Sequence, residues 1–368
     1  RKAVGCDKVS AQLLREGAET IAPHLAFLCQ LSLKYGKVFD LMKIAKITPI
    51  FKAEDPNLPS NYRPVSVLSV LSKILERIVH TRLSEFFATI LTKHQYGFRK
   101  NLNTELALIN FYQSLIDKLD KGFIGFGLFI DLKKAFDTVD HKILLRKLAR
   151  YGVCGPVLSW FKDYLSGRTQ YVKINGKKSK PRMVLCGVPQ GSILGPLLFI
   201  IYVNDLPDIL EKLEATIFAD DTTLVTYAKD IHSLEKTANQ ELKIVAKWFQ
   251  SNKLTFNAKK TYYIVFTHEQ SHKKRELKIE INGSIIDRKE KIKHLGVLFH
   301  QHLRWHEHIN HILKKTMKFL LVLTYIRTSV TRKTLMIIYN SFIYPHLIYC
   351  SLVWGNSIQN EEVLDQLL

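Results

Sequence analysis

Disulfide staples are excluded first. Only five cysteines, Cys6, Cys29, Cys154, Cys186 and Cys350, are scattered through 368 residues, an odd number with no framework spacing. Such usage is expected of a reducing, intracellular setting. Long hydrophobic runs are missing as well. The longest apolar stretch, Pro196–Val203, falls far short of the roughly 20 residues a spanning helix needs. With no secretory signal visible either, no membrane partner is expected. Acids are in deficit, 33 Asp and Glu against 54 Lys and Arg, which leaves a formal charge of +21. That surplus suits a polyanionic partner and makes its binding steeply salt-dependent, while saying nothing about fold. Low-complexity tracts and internal repeats are absent too. A 46% hydrophobic content in a chain this long is enough for a large core, expected as two or three subdomains.

The segment Ile217–Val225 carries the most chemical information, because Asp220 and Asp221 are wedged between short apolar and β-branched runs. Strand formers on both sides predict a hairpin with the acid pair at its tight connection. Mg²⁺ prefers hard oxygen ligands, usually one or two carboxylates plus the phosphates of a substrate, so this pair is suited to it. The competing reading is an ordinary surface turn, in which Asp merely tolerates the geometry. A second acid, Asp131, closes the buried-looking strand Gly127–Ile130 and caps nothing obvious. Asp137 and Asp140 precede the periodic stretch Ile143, Leu144, Leu145, Leu148, and both read better as caps or charge matches for that helix.

The loop Cys186–Pro196 is built from small and turn-forming residues. Its glycines, Gly191 among them, permit close backbone approach to a base pair or nucleotide, and Gln190 offers an amide to base, sugar or phosphate. From Lys291 to Lys333 there are nine Lys or Arg and a single acid, Glu307. A helix with Ile309, Ile312 and Leu313 inward and Lys314, Lys315 and Lys318 outward would track a nucleic-acid backbone. Histidines crowd the same stretch, at 294, 300, 302, 306, 308 and 311. With no cysteine nearby and no familiar spacing, zinc is not expected there.

In this order, the blocks resemble the reverse transcriptases of non-LTR (LINE-type) retrotransposons, with a jockey-like flavour. Asn61–Leu68 and Gln95–Arg99 resemble the two fingers motifs, Phe129–Asp140 motif A, Gly187–Pro196 motif B and Phe218–Asp221 motif C. Lys259-Lys260-Thr261 is similar to motif D and His294–Val297 to motif E, the primer grip. Lys2–Asp7 resembles the extra N-terminal motif, with Val4 and Cys6 where proline is more usual. The resemblance implies an α+β, right-hand polymerase fold with fingers, an antiparallel palm sheet and a helical thumb. Its expected divisions are 1–125 for the N-terminal extension and fingers, 126–290 for the palm with interleaved fingers segments, and 291–368 for primer grip and thumb. Whether residues 339–368 continue the thumb or begin another domain is left open.

The same resemblance assigns roles. Asp131 and Asp220 would bridge two Mg²⁺ ions, with Mn²⁺ as a substitute, and Asp221 would be the third carboxylate, less directly bound. Arg63 and Lys52 would lie over the triphosphate, and Lys260 would protonate the departing pyrophosphate, with Lys259 leaving that register open by one. Phe136 would close over the sugar and exclude a 2′-hydroxyl, a specificity built by clash; a core aromatic under the next helix is a compatible reading. Implied partners are an RNA template, a DNA primer and deoxynucleoside triphosphates. Residue 1 is Arg rather than Met, as expected of a piece of a longer open reading frame. The endonuclease that the resemblance places before the polymerase is not in these residues, and a nuclear location is implied without a visible signal. Two rivals are a decayed, RNA-binding polymerase-like scaffold and a carboxylate-dependent nuclease, the latter with no evident need for Phe136, Gln190 or Arg63.

Periodicity predicts helices at 11–35, 65–90, 104–119, 139–151, 157–165, 197–204, 231–250, 309–324 and 334–339. Strands are expected at 125–131, 169–174, 183–186, 216–218, 222–226, 261–266, 277–281 and 292–299, and soft boundaries at 52–60 and 268–276.

Overall fold

Two glycines in one strand decide how closely a helix can approach the main sheet. In Ile124–Ile130, a Cβ added to Gly125 would stand 3.0 Å from Leu115 Cδ1, and one on Gly127 would stand 2.8 Å from the Phe266 ring. The helix Thr104–Leu119 therefore lies close over this face, its Leu108, Phe111, Leu115 and Leu119 packed with Phe129, Val225, Ile264 and Phe266. The computed structural model describes residues 4–52, 55–268 and 277–355. Lys2 and Ala3, parts of both soft boundaries and the last stretch of 339–368 lie outside the described residues.

The chain divides into two compact units. One holds Arg1–Phe98, Leu132–Asp208 and Lys247–Thr255, and the other Arg99–Asp131, Ile209–Ala246 and Phe256–Leu368. In the second unit, Ile124–Ile130 is the centre of a five-stranded sheet. It pairs antiparallel with Asp221–Ala228 on one side and Tyr262–Phe266 on the other; Glu214–Phe218 extends the first edge antiparallel, and Asp287–Arg288 extends the other in parallel. A separate hairpin, Lys291–His294 with Val297–His300, sends Val297 and Phe299 into the same core as Ile309 and Ile312 of the helix His306–Ile326. Phe111 is the hub: Phe129, Phe266, Phe299 and His294 ring centroids lie 5.3–6.2 Å from its own, all in edge-on contacts that favour aromatic pairs.

The first unit carries a mixed sheet in which Ile44–Phe51 pairs antiparallel with Tyr62–Val67 and parallel with Thr169–Ile174. Helices Val70–Phe87, His141–Arg150, Gly155–Leu165 and Leu194–Tyr202, the last buried at every residue but Pro196, belong to it. Gly5 sits against the Ser69 backbone, where a Cβ would stand 2.8 Å from the Ser69 Cα, and Asp7 accepts the Ser69 hydroxyl, so the N-terminal motif braces the start of Val70–Phe87. The mixed α+β expectation holds, with four local corrections. The 11–35 helix is broken at Gly17, which separates Ala11–Glu16 from Ala18–Tyr35. Residues 65–67 are strand rather than helix, because Val65 and Val67 are β-branched and the segment pairs antiparallel with residues 46–48, and the helix starts only after the Ser69 cap. The expected strand 292–299 folds back on itself at Leu295 and Gly296, both at positive φ. The strand Ile44–Phe51 has no counterpart among the expected elements, since Pro49 breaks its pattern. All five cysteines are free, and no helix among the described residues is long and apolar enough to cross a membrane.

Phe111 is 2% exposed, so Phe111→Ala should lower unfolding stability in urea by about 3–5 kcal/mol. Leu321→Ala, at a residue 66% exposed, should change it by less than about 0.5 kcal/mol. Equal losses would contradict the placement of the core.

Candidate active site

The last cross-strand pair of the two central strands is Ile130 with Thr222, so one further step sets Asp131 opposite Asp221. On the other side, Phe218 pairs with Asp221, leaving Ala219 and Asp220 as a two-residue connection. The hairpin with acids at its turn is thus present as expected. Ala219 stands at φ +58°, in the left-handed region that favours glycine. An L-residue there carries strain of about 1 kcal/mol or more, and such strain is concentrated at functional turns. The sheet register therefore brings Asp131 to the adjacent pair Asp220 and Asp221, which lies far along the chain from it.

Their electrostatics show crowding. Asp221 keeps a solvent-accessible edge, yet its carboxyl is pushed up to about 6, first by burial and then by the charges of Asp220 and Asp131. Asp131 is fixed from the side by Asn257, whose backbone N–H donates to the Asp131 carbonyl at 2.7 Å and whose amide donates to Oδ2 at 3.2 Å. The Asp131 N–H reaches Thr261 Oγ1 at 3.4 Å. Lys260 is exposed on the short turn Ala258–Lys260 between those two partners, and its backbone N–H donates to the Asn257 carbonyl. Behind the acids, Thr223 Oγ1 lies 3.1 Å from His294 Nε2, in a pocket of aromatic rings where burial drives the imidazole down to about 4 and keeps it neutral. Among the described residues, no three His, Cys, Asp or Glu side chains form a ready-made metal cage. The donor set still fits Mg²⁺, which takes few protein carboxylates and fills its octahedron with water and substrate phosphate. A divalent cation would also relieve the repulsion that raises Asp221.

The first unit holds the other expected residues. Ile50 pairs with Arg63, and the Lys52 N–H donates to the Asn61 carbonyl at 3.0 Å, so Lys52 and Arg63 fall on one face of the same strand pair, both exposed. Gly191, at φ +113°, lies so close to this pair that a Cβ would stand 2.6 Å from the Ser66 carbonyl oxygen. The neighbouring Gln190 carbonyl accepts the Ser66 N–H at 2.7 Å. Phe136 is half-buried and stacked on Phe199 at 4.7 Å, and its carbonyl accepts the Val188 N–H.

Three further residues organise these positions. Asp140 caps His141–Arg150 as expected, its side chain accepting from the Ile143 N–H at 3.0 Å, but Asp137 does not share that role. Asp137 accepts instead from the Gln190 amide nitrogen at 2.9 Å, and burial raises its carboxyl. Glu76, 1% exposed, accepts the Ile193 N–H at 2.6 Å together with the Tyr164 and Ser72 hydroxyls, tying the end of the glycine loop and the start of Leu194–Tyr202 to the helix Val70–Phe87. Its signal in the sequence is a carboxylate on the apolar face of its helix, in step with Leu75, Val79 and Leu83. Asn257 carried no such signal, because its partner lies 126 residues away.

The Asp221 shift sets a pH dependence for the metal-free protein. A carboxyl raised above its usual value of about 4 favours the fold when protonated, so this contribution is present below about pH 4 and lost as pH rises through about 6. Asp221→Asn, which cannot ionise, should melt above the wild type at pH 8 in EDTA. The difference should vanish toward pH 4. A variant that melts lower at pH 8 would contradict the crowding.

A family profile described as reverse transcriptase (RNA-dependent DNA polymerase) matches residues 50–299. The probable RNA-directed DNA polymerase from transposon BS and the RNA-directed DNA polymerase from mobile element jockey, both of Drosophila melanogaster, are each 28% identical over 96% of this chain. The chain spans 40% of the length of these two relatives. Among solved structures, telomerase from Candida albicans, in complex with a fragment of telomeric RNA, shares the fold at a TM-score of 0.52 and 14% identity, over 88% of this chain and 62% of its own. With the profile covering more than half of the chain, around an acid turn built as described, the protein belongs to the reverse transcriptase (RNA-dependent DNA polymerase) family, beside the polymerases of non-LTR retrotransposons.

Proposed function

We propose that the chain extends a DNA 3′ end on an RNA template, using deoxynucleoside triphosphates, as the polymerase of a mobile element. The observation that carries this reading is the meeting of Asp131, Asp220 and Asp221 at adjacent strand ends, with the Asp221 carboxyl raised first by burial and then by its two neighbours. In such a reaction the primer 3′ oxygen bonds to the α-phosphorus while the bond to the β-phosphate breaks, and pyrophosphate leaves in line. Bound at the carboxylates, two divalent cations such as Mg²⁺ would activate the attacking hydroxyl and offset the charge on the leaving group.

The chain's own residues supply positioning and discrimination. Asp131, held by Asn257, and Asp220, on a strained turn, would be the principal residues holding the cations, with Asp221 as the third carboxylate. Arg63 and Lys52, sharing one face, clamp the triphosphate, the planar guanidinium suiting paired oxygens. Lys260 gives a proton to the departing pyrophosphate. Phe136, braced by Phe199, closes over the sugar and clashes with a 2′-hydroxyl. Gly191 lets the backbone lie close to the nucleotide, and Gln190 offers it an amide steadied by Asp137. By role, 1–125 serves as N-terminal extension and fingers, 126–290 as palm with interleaved fingers segments, and 291–368 as primer grip and thumb.

The test is Mg²⁺-dependent extension of a labelled DNA primer on RNA, wild type against Asp220→Ala. Loss of at least about 10²–10³-fold in rate is expected, the range for removing one preorganised electrostatic stabiliser. Duplex binding without synthesis by either protein would replace the enzyme with an RNA-binding scaffold.

A further inference from the structure

Among the described residues, Phe98 is the sole aromatic residue in the left-handed region, at φ +56°. A bulky side chain is disfavoured there, and such strain is concentrated at functional sites. Burial does not offset it, because Phe98 is 51% exposed. The backbone is nevertheless held in that shape. Gln95, 1% exposed, accepts the Gly97 N–H through its side-chain carbonyl at 2.8 Å, and its own N–H donates to the Thr92 carbonyl at 3.2 Å. The turn leaves the Phe98 ring half in solvent and sets it edge-on to Phe136, with centroids 6.2 Å apart and planes at 81°.

The main chain at Phe136 is fixed as well. Its carbonyl accepts the Val188 N–H at 2.8 Å, and Lys134, at φ +49°, accepts the Asp137 N–H at 2.8 Å. Backbone bonds do not fix a side chain, which still turns about its own torsions. Two rings restrict this one. Phe199, fully buried in Leu194–Tyr202, stacks on Phe136 with centroids 4.7 Å apart and planes at 29°. A stack of that kind leaves the upper ring able to slide over the lower. The near-perpendicular ring of Phe98 opposes that motion, and both arrangements are favoured ones for aromatic pairs.

We propose that Phe98 is a positioning residue for sugar selection: it holds the Phe136 ring in place and so sets how strictly the site rejects a 2′-hydroxyl. The inference rests on the reading of Phe136 as the residue that closes over the sugar. Rejection by clash is only as strong as the wall is unyielding, since a ring that swings aside admits one extra oxygen at little cost. Braces at two different angles make the wall stiff. Phe98 acts through Phe136 and not on the nucleotide, which accounts for a strained, half-exposed ring that the core does not need.

The test uses the whole chain with Mg²⁺, a DNA primer and an RNA template, and compares kcat/KM for a deoxynucleotide with kcat/KM for the matching ribonucleotide. This ratio cancels the amount of active enzyme, so a variant that merely folds less well leaves it unchanged. Phe98→Ala should lower the preference for the deoxynucleotide about three- to tenfold, the factor carried by one aromatic contact. Phe98→Tyr, which keeps the ring, should retain it, and so should Phe86→Ala, at an exposed ring that pairs with Phe87 instead. Phe98→Ala/Phe136→Ala should show the same ratio as Phe136→Ala alone. An unchanged ratio in Phe98→Ala would overturn the proposal, and additive losses in the double variant would overturn action through Phe136. A second measurement needs no nucleotide. With ¹³C-labelled phenylalanine, the Phe136 ring signals, assigned by their loss in Phe136→Leu, should shift in Phe98→Ala and stay in place in Phe86→Ala; no shift in Phe98→Ala would remove the brace. Failure of the wild type to extend any primer sinks the polymerase reading and sugar selection with it, whereas extension with a shifted Phe136 signal and an unchanged ratio sinks this proposal alone.

Discussion

Like charge held in one place is the constraint on which this molecule turns. Three carboxylates meet where two central strands end, and the Asp221 carboxyl is raised there, first by burial and then by the charges of Asp220 and Asp131. An arrangement of this kind opposes stability in the absence of cations and becomes favourable when divalent cations arrive with substrate. The surrounding structure is what makes it persist. Aromatic packing around Phe111 and paired glycines at 125 and 127 fix the central strand against its helix. Asn257 then fixes Asp131 by two hydrogen bonds.

In the other unit, the recurring device is backbone laid on backbone. Gly187 lies so close to Asp137 that a Cβ would stand 2.7 Å from its carbonyl oxygen, and Gly191 does the same against Ser66. Gln190 bonds to both neighbours, through its carbonyl to Ser66 and through its amide to Asp137, and buried Glu76 secures the far end at Ile193. A glycine-rich loop is often flexible because glycine costs the most entropy to order. This one is ordered by partners on three sides. Preorganisation of that sort lets a loop present a fixed surface to a flat substrate group.

What was legible in the sequence followed local chemistry. The acid pair between strand formers announced the hairpin, and the period of Thr104–Leu119 marked its helix to the residue. Asp131 was separable from Asp140 because one ends a strand and the other precedes a helix. What was not legible depended on distant partners. Asp137 reads as a cap until the loop at Gln190 is folded against it, and Asn257 looks like any loop asparagine until Asp131 arrives. The 292–299 run has strand composition throughout, and its reversal rests on Leu295 accepting a left-handed conformation that Tyr349 helps to hold. Ile44–Phe51 was hidden for a different reason: Pro49 weakens the strand pattern, yet the strand pairs on both sides.

The central claim, that Asp131 and Asp220 hold the divalent cations of the reaction, is tested most directly by Mn²⁺ uptake. The loss of the free-ion paramagnetic resonance signal would be followed with primer, RNA template and a non-hydrolysable deoxynucleotide present. The account predicts saturable uptake by the wild type and its loss in Asp131→Asn/Asp220→Asn, with duplex binding retained. Equal uptake by both proteins would contradict it.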